Sequence, residues 1–492
     1  MVDAIEPIHG EFFLKDLPEK RWFGSLSLGK TAELKITVLS AAAPFEMIPA
    51  MNGERVTLVG HCGDKYVTCF DSLQFQNVSS RSREGGITTI SFRPSVVWSG
   101  PRAMEKSDTV HFLSLRFAGL HGVIGTKVID EKYLSNEEKA SLREVIGNAS
   151  NLLIPQQSEI SHQLEFRGCP INVSFYSSFN KSFGWQDGHS FTTSDHCLIE
   201  CAAGMQLPDM MALKNKLNQF LSFVCLKSVS CNRISINVIS PDHKLQKFEL
   251  IYKIDEEKTD EAPMYHECLG TFRFKSDDMG RALKRWLLSS HKEELAMWLY
   301  LRCQDADMIT VERFITICQA IEIVGRKHRP QQLWNKNNFK KAALMAAKIM
   351  TKELGADSDD EQSKRFADLI MNFNRPSFRD IVESFCNQIP RGIGEVFLPT
   401  PSKYLSDLVE MRNAFVHMQM NEDNIDSLQK KLSCGIYQSL ALFAAYYGLA
   451  LGLDEKEILS GLSNSSVGRS AIHLIGKGKI ERSLPTPPRD TS

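Results

Sequence analysis

Arg412, Asn413 and His417 stand close together in the run Lys403-Tyr-Leu-Ser-Asp-Leu-Val-Glu-Met-Arg412-Asn413-Ala-Phe-Val-His417. A guanidinium and an amide can grip an anion, and an imidazole titrates near neutral pH and can move a proton. The looser pattern, Arg with four to six residues before a His, carries little information. It occurs at Arg55/His61, Arg116/His121, Arg285/His291 and Arg412/His417. Requiring Asn directly after Arg leaves only the last, a coincidence of about one in thirty at these residue frequencies.

On a helix, Leu405, Leu408, Val409, Phe415 and Val416 form one apolar stripe with Arg412 at its centre. Asn413 and His417 are four residues apart and share the adjoining face, so one helix edge presents all three groups. A buried guanidinium without a partner is strongly destabilising. The expected partner is Glu322, which interrupts a second apolar stripe of Val311, Phe314, Ile315, Cys318 and Ile321. Two readings of that pair stay open. Glu322 orients Arg412 for chemistry, or the two form a buried ion pair that only fixes helix register.

A basic stretch adjoins Glu322. Between residues 326 and 352 lie Arg326, Lys327, Arg329, Lys336, Lys340, Lys341, Lys348 and Lys352, with no acid among them. Such a patch suits RNA phosphates, with Arg326, Lys327, Arg329, Lys336, Lys340 and Lys341 as the foremost contacts; a solvated helix face is the bland alternative. Trp334 and Phe339 could stack on bases or pack in a core. Elsewhere the signals are weak. His196-Cys197-x3-Cys201 lacks a second ligand pair at finger-like spacing, and strand alternation separates its members, so no metal site is expected. Asp357, Asp359, Asp360 and Glu361 read as a solvated loop. The chain contains no Walker motif and no GxGxxG, so no cofactor is expected.

These groups must be positioned by a chain of 492 residues, long enough for two or three domains. Hydrophobic residues at 42% and charged residues at 24% match ordinary globular usage and exclude a disordered or fibrous chain. The net charge of −1 gives no global attraction to a polyanion, so an RNA surface must be local. Twelve cysteines without a CxxC pair, and a first twenty residues without a basic start and apolar run, point to a reduced, cytoplasmic location. The longest apolar stretch, Ser439 to Leu453, is short for a membrane span and reads as a buried helix.

Up to about residue 275 the texture is β. Glu54–Val59, Tyr66–Phe70, Gly86–Phe92, Val110–Phe117, Gln163–Phe166, Ile171–Tyr176, His196–Cys201, Arg233–Ile239 and Lys247–Ile254 read as strands. One amphipathic helix, Met210–Leu226, interrupts them, and Glu137–Asn148 reads as a helical connector. Beyond it, helical periodicity covers Asp278–Ser289, Lys292–Asp305, Thr310–Gly325, Asn337–Leu354, Gln362–Asn374, Ser377–Asn387, Lys403–Met420, Ile425–Gly452 and Asp454–Leu462. The expected organisation is α+β and multidomain. It has a β-rich lobe at 1–130, a second β-rich lobe with one helix at 131–275, an all-α bundle at 276–482 and a mobile tail at 483–492.

The Arg412-Asn413-x-x-x-His417 motif and the helix around Phe314-Ile-Thr-Ile-Cys-Gln-Ala-Ile-Glu322 resemble the HEPN ribonuclease domain of ApeA-type bacterial anti-phage defence proteins. Gly10-Glu-Phe-Phe, Trp22-Phe-Gly24-Ser-Leu, Val56-Thr-Leu, the Trp98 region and Leu113-Ser-Leu-Arg-Phe resemble that family's N-terminal β-rich domain. The resemblance implies an endoribonuclease that needs no metal: the ribose 2′-OH attacks phosphorus, His417 acts as general base or acid, Arg412 stabilises the transition state, and Asn413 holds the phosphate or the His. It further implies 2′,3′-cyclic phosphate and 5′-hydroxyl ends, a homodimer paired at the motif helix, and abortive infection through cleavage of a structured RNA such as tRNA. The β-rich part would restrain the nuclease until a phage-derived activator arrives. The competing, non-enzymatic expectation is a dimerising RNA-binding module.

Overall fold

The computed structural model describes residues 6–29, 31–39, 54–82, 85–117, 120–124, 129–133, 151–155, 159–184, 188–240, 242–253, 264–306, 308–328, 334–353, 360–372, 375–416 and 425–476. The chain forms two compact units, residues 1–218 with 229–262 and residues 219–228 with 263–492.

The first unit contains β1 (Ile8–Leu14), β2 (Leu17–Ser27), β3 (Glu33–Leu39), β4 (Val56–Cys62), β5 (Lys65–Ser82), β6 (Gly85–Arg93), β7 (Val96–Gly100), β8 (Thr109–Phe117), α1 (His121–Ile124), β9 (Ile129–Tyr133), β10 (Asn151–Pro155), β11 (Glu159–Phe166), β12 (Cys169–Gly184), β13 (Gly188–Gln206), most of α2 (Leu207–Val224), β14 (Cys231–Ile239) and β15 (Leu245–Lys253). Thirteen of the strands share one antiparallel sheet in the order β11-β12-β13-β8-β14-β15-β7-β5-β4-β1-β2-β3-β6, and β9 and β10 pair separately. Because β6 also pairs with β5, the run β5-β4-β1-β2-β3-β6 closes into a six-strand barrel. Closure removes the sheet edges that an open meander would leave exposed.

Phe12, Trp22, Leu34, Ile36, Leu58 and Phe92 alternate inward along the barrel strands and fill its core. A Cβ on Gly24 or Gly60 would collide with the Phe12 ring, so those two positions are bare to admit it. From β7 the sheet leaves the barrel and continues through β15, β14 and β8 to β11. The expected division near residue 130 has no counterpart in this sheet, because β8 pairs with β13 on one side and β14 on the other. Sheet partners are chosen by tertiary pairing across long loops, which local turn signals do not encode. The connector expected at Glu137–Asn148 and the tail expected at 483–492 lie outside the described residues.

The second unit is helical: α3 (Phe272–Leu287), α4 (His291–Gln304), α5 (Val311–Gly325), α6 (Lys336–Glu353), α7 (Asp360–Asn372), α8 (Phe378–Cys386), α9 (Arg391–Phe397), α10 (Pro401–Val416), α11 (Ile425–Leu451), α12 (Glu455–Asn464) and α13 (Ser466–Leu474). Starts are set by side chains: Ser290 with Glu293 and Ser377 with Asp380 form capping boxes before α4 and α8, and Thr310 caps α5. The apolar stretch from Ser439 lies within α11, whose residues 440–447 are all buried. Phe443 and Tyr447 stack there, with Tyr300 against Phe443 and Trp286 edge-on to Tyr447. Two helices, α9 and α13, are additional to the sequence expectation.

Candidate active site

Helix α10 begins on Pro401, whose fixed φ suits the first helical position. It buries Tyr404, Leu408 and Met411, and the Tyr404 hydroxyl hydrogen-bonds the Ser439 Oγ of α11 at 2.9 Å. Phe415 meets Phe314 of α5 edge to face at a centroid distance of 5.8 Å. The packed line is therefore 404, 408 and 411, continued by the half-buried Phe415. It lies about 70° round the helix from the centre of the stripe expected from Leu405, Leu408, Val409, Phe415 and Val416, of which Val416 is 49% exposed.

This rotation corrects the placing of Arg412. Its side chain is half-buried at the edge of the helix, not central to the packed line, and its guanidinium carbon lies 5.0 Å from the centroid of the Phe378 ring at the start of α8. Tyr404 and Met411 moved the centre of the stripe. Asn413 is the next residue round and is exposed. His417 lies outside the described residues.

Glu322 does not pair with Arg412. Its carboxylate accepts from Arg326 at 2.5 Å, one turn further along the chain, while among the described residues no carboxylate pairs with Arg412. Both charges nevertheless act on the Cys318 thiol: burial pushes that thiol well up, Arg412 opposes and Glu322 adds. Glu322 and Arg412 are neighbours around one sulfur rather than an ion pair.

The deeply buried guanidinium of this unit is one that sequence reasoning missed. Arg313, 5% exposed, donates from Nε to the Cys303 carbonyl at 2.6 Å and lies over the Tyr437 ring at 5.3 Å. It occupies the first turn of α5, where a charge usually reaches solvent, so nothing in the spacing announced it.

The basic stretch divides. Arg326 is held by Glu322, and Lys327 pairs with Glu293. Lys336, Lys340 and Lys341 are exposed on α6, as are Lys348 and Lys352, and none has an ion partner among the described residues. Arg329 lies outside the described residues. Trp334 and Phe339 stack on each other with ring centroids 5.2 Å apart, and Trp334 is largely exposed.

An unpaired guanidinium beside an exposed amide offers charged and neutral donors to the oxygens of one phosphodiester. The family model described as ApeA N-terminal domain 1 matches residues 7–286. A second model, described as Apea-like HEPN, matches residues 315–457 and so includes Glu322, Arg412, Asn413 and His417. Searches of the curated proteins and of the solved structures each returned no match.

Proposed function

Because the chain belongs to the ApeA-like family of HEPN anti-phage defence proteins, we propose that it is a metal-independent endoribonuclease whose β-rich part senses infection and restrains the helical part. The observation that carries this reading is Arg412, half-exposed and without a carboxylate partner among the described residues, followed directly by exposed Asn413. A guanidinium neutralised by Glu322 would have little charge left to offer a phosphate.

In this reading Arg412 binds the scissile phosphate and stabilises the charge that builds on its oxygens as the 2′-OH attacks. Asn413 adds hydrogen bonds to the phosphate or to His417. His417 supplies the proton transfer, with the 5′-oxygen leaving as a hydroxyl and a 2′,3′-cyclic phosphate remaining. One chain carries one such His, whereas the reaction requires an acid and a base. A homodimer through the helical unit brings the second. The exposed lysines of α6 hold the flanking phosphates of a structured RNA such as tRNA.

The deciding experiment is His417→Ala in the full chain. Cleavage of RNA in infected cells, read by sequencing RNA ends, is expected to vanish while sedimentation still reports a dimer. Unchanged cleavage sinks the enzymatic reading and leaves a dimerising RNA-binding module.

A further inference from the structure

On another face of α10, about 100° round the helix from Arg412, Lys403, Asp407, Leu408 and Met411 line a cavity of about 410 Å³. The α11 residues Lys430, Lys431, Cys434 and Gln438 and the end of α13 at Leu474 complete it. A volume of this size suits a small organic ligand.

The lining is graded by exposure. Lys403 and Lys430 are exposed and have no ion partner among the described residues, and Lys431 reaches Glu410 only at 3.8 Å. Three cations thus stand at the mouth. Deeper, Leu408, Met411 and Leu474 supply an apolar wall. Two hydrogen-bond acceptors remain there. Asp407 is half-buried with no hydrogen bond or ion pair among the described residues. Gln438 is buried; its Nε2 donates to the Phe397 carbonyl at 2.8 Å, which leaves Oε1 with only a 3.9 Å contact from the Cys434 thiol. The charges converge on that sulfur: burial lifts the Cys434 thiol, Asp407 adds to the rise, and Lys403 and Lys430 oppose it.

A half-buried carboxylate and an amide oxygen met only by a weak thiol donor have capacity to accept, so a ligand that fits them brings donors. An apolar wall asks for a flat hydrophobic body, and the lysines ask for an anion. Among nucleobases, guanine alone presents two neighbouring donors, its N1–H and its exocyclic amino group. Adenine and cytosine set their amino group beside an acceptor nitrogen, and uracil flanks its one N–H with carbonyls. We propose that this cavity is a guanine-nucleotide site, with the base on Asp407 and Gln438 and the phosphate on Lys403, Lys430 and Lys431. The guanine arrives either as a free nucleotide or as one residue of an RNA strand.

Calorimetric titration of the intact chain separates these cases. GMP is expected to saturate the protein, with AMP binding about tenfold more weakly or less, because a site built on hydrogen bonds rejects a base that leaves them unmet. Asp407→Asn should erase the preference between GMP and AMP. Lys403→Glu with Lys430→Glu, both on the surface, should weaken GMP at least about tenfold and leave guanosine unaffected. A 2′-O-methyl trinucleotide with one central guanine is compared with GMP. Tighter binding of the trinucleotide assigns the site to RNA, and tighter binding of GMP assigns it to the free nucleotide. The proposal is overturned if neither probe saturates, or if both bind without regard to base or to Asp407→Asn. No cleavage is measured, so the outcome stands apart from the ribonuclease reading.

Discussion

Arg313 and Arg412 sit on helices joined by the Phe314–Phe415 contact, and their surroundings divide structure from chemistry. Arg313 is enclosed and bonded to the Cys303 and Met308 carbonyls. Arg313→Ala strands those acceptors and leaves a void, which costs about 2–4 kcal/mol and lowers the Tm by several degrees. Arg412→Ala removes only an edge contact with Phe378, about 0.5–1 kcal/mol. RNA cleavage, by contrast, should fall about 100-fold to 1,000-fold, the effect of deleting one donor to the transition state. Glu322→Ala completes the set: its partner is the exposed Arg326 that caps the end of α5, so thermal shift should register about 0.5 kcal/mol or less. A loss of several kcal/mol there would restore the buried pair with Arg412. Spacing alone singled out Arg412, Asn413 and His417 in the sequence, but not the burial of Arg412. Five apolar residues defined a stripe, and two others, Tyr404 and Met411, decided where its centre lies.

At the scale of elements, α10 is held by α5 and α11 through one bare position. A Cβ on Gly435 of α11 would meet the Met411 Cε at 2.9 Å and the Phe314 Cε2 at 3.2 Å. The methionine end can swing aside, and alanine gains about 1 kcal/mol of helix propensity, so Gly435→Ala should leave the Tm nearly unchanged. Gly435→Leu has no such relief. Overpacking should cost about 1–3 kcal/mol and push α10 outward, moving Arg412 from its place over Phe378. Cleavage should drop in the leucine variant and persist in the alanine variant; equal activities would mean that helix spacing does not position the motif. The nine expected helices of this unit are legible because their apolar faces repeat at helical spacing. Helix α9 was hidden by Gly392 and Gly394 in seven residues, which packing of Ile393 and Phe397 overrides. Helix α13 was hidden by its brevity, although Ser465 caps it. Among the strands, nine positions were readable, but β1, β2, β3, β7, β9 and β10 were not read, and neither were the partners. Barrel closure rests on β3–β6 and β5–β6 registers, which hydrophobic alternation does not specify.

The molecule as a whole carries a charge of −1, so long-range attraction would not bring RNA to it, and the proposed RNA binding must rest on a few local contacts. The structure lowers the number of free cations below the eight read from the sequence between residues 326 and 352, since Arg326 and Lys327 already have acidic partners. Lys336, Lys340, Lys341, Lys348 and Lys352 remain on α6. If these five make the phosphate contacts, the logarithm of the RNA affinity should fall with the logarithm of salt at a slope near −3.5 for single-stranded segments. Lys340→Glu with Lys341→Glu should flatten that slope by at least about 1 and weaken RNAs of unrelated sequence alike. Arg412→Ala should change the slope far less than it changes cleavage, because it deletes one contact. A slope that stays steep after both lysines are reversed would move the RNA off α6 to another surface, and the motif helix would then need a different approach path for its substrate.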